Sequence, residues 1–415
     1  MKVPPPRRFV HIAEARAKFG DSIDTLSQLL FAGDPLADDL VEAFSKLPPG
    51  AGQRMLEQAL AHGIDSVADA PSELVALFRE VDHVPAWVDK ESLERGGELL
   101  FRAGWFGGIS LATSLLYGYA SPGGNKPLVF SGRLDKDTPR RLIETSRFVQ
   151  ATCKPGGLSR FGEGFAITVK VRVMHAHVRR MLLKSGRWST EDWGLPANQH
   201  DMGGTALLFS VVVIDTLGHF GFDFDAEEIH LFMQLWRYSG YLMGVHPEVL
   251  PTSQREGKRL AEMIAATEEG PDDDSRRLSR AMFASGENPP RATEEEKRRA
   301  ERVVRVGQGL IRGALGPDLA DQLDVPRHNF RHLFPVVRAV VTRTERLARR
   351  APAFAAARLR ARAIKSGRDY WDMLIRAAKE PLSFAPPDRL LGVAAEIASP
   401  KTRRGGTLAS VARPR

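Results

Sequence analysis

One cysteine, Cys153, stands in 415 residues. No disulfide framework and no cysteine-rich metal site can be built within one chain, and such usage fits a reducing compartment. Alternating apolar and polar residues, the mark of a half-buried strand, are scarce. The β-branched run "VVVI" at 211–214 sits inside a longer helical pattern. Familiar nucleotide and hydrolase signatures are missing too. The glycines of "GGLSRFGEG" (156–164) lack the GxGxxG spacing and follow no strand, and neither a P-loop nor a GxSxG elbow occurs. Hydride transfer on a Rossmann domain and serine hydrolysis are thereby disfavoured. No zinc-finger or RNA-binding signature supports a nucleic-acid partner. The N-terminal "MKVPPPRRFVHIAEARAKFG" has positive charge but no apolar run behind it, so it reads as lacking a secretory signal and the expected location is cytoplasmic.

Helical periodicity is what the chain does have. It predicts helices over 36–46, 51–62, 71–82, 90–119, 138–152, 162–185, 200–219, 225–245, 253–268, 294–314, 329–350 and 354–378. The expected class is all-α, a multi-helix single domain. Its expected parts are an N-terminal helical extension (1–84) packed on a core (85–268), a polar loop (269–300), C-terminal helices completing the domain (301–398) and a basic flexible tail (399–415). Residues 103–125 carry no charge, but they include six glycines and end in Ser-Pro-Gly-Gly. That composition suits a buried helix walling an apolar pocket better than a membrane span.

The net charge of +8 is uneven. Residues 341–415 hold 17 Lys/Arg against 6 Asp/Glu, leaving the rest of the chain at −3. The pattern predicts helices with a solvated basic face, and it also admits peripheral contact with an anionic membrane.

The stretch "KVRVMHAHVRR" (170–180) sets two histidines among arginines. At about 100° per residue, Thr168, Arg172, His175 and Arg179 share one helix face, and His177 lies about 200° from His175. The two histidines therefore cannot chelate one ion, which excludes the simple zinc reading. A bare cation is poorly placed beside two guanidinium groups. Haem is different: its iron takes one imidazole and its propionates take arginines. On spacing alone, a satisfied core histidine between surface arginines stays open as the alternative. In "TPRRLIETSRFV", Arg141 and Thr145 lie four apart on one face with Phe148 next on it. They could face a propionate or an oxygen-derived ligand, or belong to ordinary amphipathicity with Leu142, Phe148 and Val149 as the core side.

The motifs "FSGRLDKDTPRRLIETSRFVQATCKPGG", "GFAITVKVRVMHAHVRR", "WGLPANQHDMGGTALLFS" and "WRYSGYLMGVHPEVLP" extend the pattern. Over roughly residues 85–255 the chain resembles the latex clearing protein family of bacterial rubber oxygenases and the related fungal oxygenase of the mycophenolic acid pathway. The resemblance implies haem b in an all-α, globin-like core with His175 as the axial iron ligand. It matches Arg172 and Arg179 to the flanking arginines, and Arg141 and Thr145 to the distal helix. It also implies O₂ as co-substrate and oxidative cleavage of an isoprenoid C=C bond. Two departures stand out. Glu144 replaces a family lysine that can occupy the distal position, making it a candidate proton shuttle. The family's catalytic glutamate finds no counterpart, since the gap-free position falls near Asn125. With no export signal read, a smaller isoprenoid or other apolar chain is expected in place of polymeric rubber.

Two other readings use the same residues differently. A ferritin-like di-iron protein would need the Glu-x-x-His pairs Glu80/His83 and Glu227/His230 to converge. A non-catalytic haem or lipid carrier would use the same pocket. His200 and Asp201, in an otherwise apolar helix, are expected to form a buried hydrogen-bonded pair.

Overall fold

The helix Ala51–His62 falls where the periodicity places it, and Asp225 opens the helix Ala226–Leu242 through a full capping box with Glu228. Asp225 Oδ1 accepts from the Glu228 amide at 2.8 Å and Glu228 returns the bond at 3.0 Å. The structure, a computed structural model, describes residues 3–130, 138–287 and 293–376. Its regular elements are all helical, with no strand among the described residues.

Three expectations need correction. The single helix expected over 90–119 is three: Lys90–Arg95, Glu98–Arg102 and Trp105–Tyr119. Gly104 has φ +53°, and the chain turns 94° there. The helix expected over 200–219 breaks at Ser210 (φ −111°, ψ −89°) into Gln199–Phe209 and Val211–His219. The polar loop expected over 269–300 contains the helix Asp273–Glu287. Its charged residues coat one side, while Leu278, Met282 and Phe283 are buried at i, i+4 and i+5. The expected basic tail and the end of the C-terminal helices lie outside the described residues.

Two apolar clusters hold the molecule. The larger joins Ile23, Leu40 and Leu77 of the N-terminal helices to Phe165, Val169, Phe232 and the fully buried Trp371 near the C-terminal end. The smaller gathers Leu116, Phe220, Leu278, Leu310 and Leu323. The uncharged stretch divides between Trp105–Tyr119 and the start of Pro122–Phe130, and touches both clusters: Leu111 belongs to the first, Ile109 and Leu116 to the second. Much of it is buried core, as its composition suggests.

The N-terminal segment straps the body together. Arg8 is buried and paired with Asp201 and Glu268, while Phe9 meets the His200 ring edge-on at 6.1 Å. His200 turns Nδ1 toward Asp201 at 3.3 Å. Burial alone would raise the Asp201 carboxyl, but Arg8's charge and the bonds from His200 and Arg8 outweigh it and hold it well below the usual range. A carboxylate depressed in this way stabilises the fold above its ordinary pKa. That stability is lost as pH falls through the depressed value. Arg8→Gln removes the main depressing charge. We expect it to cost about 2 kcal/mol at neutral pH and to move acid unfolding to higher pH, followed by circular dichroism.

Candidate active site

The His175 helix, Glu163–Lys184, and the Thr145 helix, Thr138–Cys153, lie against each other. The glycine-rich stretch between them is a packing device. A Cβ on Gly157 would stand 1.9 Å from the Ala151 carbonyl oxygen, and one on Gly162 2.4 Å from that of Gly157. Only glycine lets the loop fold this tightly onto the end of the Thr145 helix.

His175 Nδ1 is buried and meets no hydrogen-bond partner. Burial, then the positive charge of Arg179, pushes the imidazole down to about 4 against the opposing charge of Asp34. The ring is therefore neutral at physiological pH, the state in which histidine binds metal. An unpaired buried nitrogen is costly unless something fills its valence. His177, on the other side of the helix, is half-buried.

The flanking arginines are not free. Arg172 donates from Nε to Asp34 at 2.6 Å, from one terminal nitrogen to Asp34 at 2.9 Å, and from the other to Glu80 at 2.7 Å and to the Leu242 carbonyl at 3.4 Å. Burial pulls Arg172 down, but the bonds and charge of Asp34 and Glu80 outweigh it and its pKa rises. The sequence expectation that Arg172 neutralises a propionate meets this obstacle: its fork is already filled by carboxylates. Gly244 marks how close the packing is, since a Cβ there would lie 2.4 Å from Asp34 and 2.5 Å from Arg172. Arg179 reaches Asp38 and the Ala197 carbonyl, yet its Nε is buried without a partner.

On the neighbouring helix, Arg141, Glu144 and Thr145 are half-buried. Glu144 accepts from Arg140 Nε at 3.0 Å, one turn back. Arg141 pairs with no acid among the described residues. It lies near enough to the buried Tyr119 hydroxyl to oppose the rise that burial causes there. One turn beyond Thr145 the face becomes aromatic. Phe148 meets Phe209 and Trp236 edge-on at 5.6 and 5.8 Å, and those two stack at 5.2 Å. Trp236 Nε1 and Thr152 Oγ1 are buried without partners.

Asn125 is a structural tie. It is buried and donates to the Tyr119 carbonyl at 2.8 Å. The Glu-x-x-His pairs do not converge. Glu80 is held by Arg172, Glu227 pairs with Arg95 at 3.0 Å on the surface, and His83 and His230 are exposed. The one grouping close enough for a metal among the described residues is His200, Asp201 and Glu268, and there Arg8 supplies the positive charge. This overturns the di-iron reading.

Sequence reasoning missed Asp34 and Asp38 and noticed Glu80 only as half of a metal motif. Their sole local signal is the helix start "DPLADD", where Asp34 accepts from the Ala37 amide at 3.4 Å.

A profile of the catalytic domain described as "ER-bound oxygenase mpaB/B'/Rubber oxygenase" matches residues 99–346. The rubber oxygenase of Streptomyces sp. (strain K30) is 25% identical over 222 residues, 52% of this chain and 53% of that protein. The alignment thus spans about half the length of that curated relative. A solved structure of latex clearing protein in the closed state superposes with a TM-score of 0.64 at 18% identity, covering 83% of this chain and 91% of that one. At that identity the likeness speaks for the fold: an all-α single domain of the latex clearing protein type. With its catalytic-domain profile matched over more than half its length, this chain belongs to the mpaB and rubber oxygenase family.

Proposed function

We propose that the protein is a haem b-dependent oxygenase that uses O₂ to cleave a C=C bond of an apolar, isoprenoid-like chain. The observation that carries the proposal is His175: a half-buried, neutral imidazole whose Nδ1 is buried without a partner, flanked on its own helix by buried arginines. Family membership supports the oxygenase part, and the likeness to the Streptomyces rubber oxygenase supports an isoprenoid substrate. Haem, held at His175, would supply the redox chemistry that O₂ needs.

The residues then divide their tasks. His175 holds the iron. Arg141, which pairs with no acid among the described residues, and the partnerless Nε of Arg179 are the donors offered to propionates, while Arg172 fixes the His175 helix through Asp34 and Glu80. Thr145 would offer a hydroxyl hydrogen bond to the bound group, and the Glu144 carboxylate, its charge steadied by Arg140, would be the place to hold a proton. Phe148, Phe209 and Trp236 form a water-excluding wall for an apolar substrate. The single buried cysteine agrees with work in the cytoplasm.

An absorption spectrum of freshly purified protein, repeated after dithionite and CO, tests the reading. A Soret band that shifts with CO is expected, followed by O₂ uptake and carbonyl products with an open-chain isoprenoid. A colourless, folded protein that ignores added haemin refutes it. A band without turnover points to a carrier. Arg141→Leu should weaken haemin binding about tenfold, the loss of one charge-assisted bond, whereas His177→Ala should leave haemin titrations unchanged.

A further inference from the structure

The helix Leu333–Arg350 buries none of its 18 residues. One edge leans on the body through the half-buried Phe334, Val337 and Val341, and through Glu345, which accepts from Arg102 at 2.9 Å. The edge turned away is apolar. Leu333, Val336, Val340 and Leu347 fall within an arc of about 60° at the α-helical period. Val336, Val340 and Leu347 are each more than half exposed. After the Pro352 turn, the next helix, Ala353–Arg376, begins with Phe354 at 71% exposure. Scattered apolar side chains are ordinary on a protein surface, but an aligned stripe on an amphipathic helix marks a partner.

The partner's charge is legible beside the stripe. Residues 333–365 carry nine Lys/Arg and one acid, Glu345, which faces inward. Arg349 pairs with Asp223, and Arg360 with Glu98. Arg343, Arg346, Arg350 and Arg358, next to the stripe, pair with no acid among the described residues. A second copy of the chain would bring the same positive field and be repelled. Residues 399–415, with five Lys/Arg and no acid, would be repelled likewise. Nucleic acid would satisfy the arginines but leave valine, leucine and phenylalanine without a role.

We propose that this helix and the start of the next rest on an anionic lipid bilayer, with the apolar stripe at the level of the headgroups and acyl boundary and the arginines on lipid phosphates. Such a helix lies in the interface plane and does not span the membrane. Binding here needs neither haem nor O₂, so it stands or falls apart from the oxygenase reading.

Co-sedimentation of the full chain with vesicles tests it. Phosphatidylcholine mixed with phosphatidylserine should bring the protein down, pure phosphatidylcholine should do so poorly, and salt should release it. Replacing Arg343, Arg346 and Arg350 together by Gln should weaken partitioning about a hundredfold. Val340→Glu with Leu347→Glu should abolish it while circular dichroism and the melting temperature stay unchanged, because both side chains face solvent. Four results would overturn the proposal. The protein stays in the supernatant with anionic vesicles at low salt. The stripe variant sediments like the parent. Binding is lost when Lys401, Arg403 and Arg404 become Gln. Sedimentation velocity finds a dimer that the stripe variant dissolves.

Discussion

His175→Ala is expected to yield a folded protein that no longer retains haem. Alanine removes a ring that pairs with nothing in the protein, so no buried partner is stranded. The helix keeps its hold through Arg172 and Arg179 on either side. The fold should therefore tolerate the change, while the Soret band disappears. Isoprenoid-dependent O₂ uptake should fall by more than about a hundredfold, exceeding the 10–100-fold effects usual for outer-shell changes around a metal. Free imidazole added to the variant should restore part of the band, which a variant that had merely unfolded would not show. An unaltered spectrum would remove His175 from the site.

Asp34→Ala should have the largest effect on stability. The carboxylate takes two bonds from Arg172, and both side chains are nearly inaccessible, at 3% exposure for the arginine and 9% for the aspartate. Deleting the acid leaves a guanidinium in the interior with only Glu80 and one carbonyl. Breaking such a pair typically costs roughly 3–5 kcal/mol, to be read from denaturant midpoints in the haem-free protein. Replacing Arg172 as well should recover part of that loss, since the stranded charge goes with it. If the single and double variants are equally destabilised, the cost lies in packing and not in the stranded charge.

The all-α class and most helix positions are legible because 3.6-residue periodicity is local and strong, as at Ala51–His62 and Ala226–Leu242. What the periodicity hid were breaks enforced from outside the segment. Nothing near Gly97 announces that a Cβ there would lie 1.9 Å from the Cys153 carbonyl oxygen. The helix Asp273–Glu287 was masked by its own charge, because three large apolar residues in fifteen suffice where the neighbouring surface is already a core. At the site, the face shared by Arg172, His175 and Arg179 follows from spacing. The acid partners of the two arginines do not, being 92 to 141 residues earlier in the chain. Charge says that a buried arginine needs an acid, but not which one.

The carboxylates that neutralise Arg172 and Arg179 all precede the part of the chain that defines the family. Asp34, Asp38 and Glu80 stand before residue 99, where the catalytic-domain match begins. A fragment excised at that boundary would carry two interior guanidinium groups with their counter-charges cut away, and it would expose the faces that Ile23, Leu40 and Leu77 now cover. The matched catalytic-domain range is therefore smaller than the set of residues that completes these ion pairs and the larger core. In this protein the segment ahead of it acts as an intramolecular clamp, supplied once with each chain.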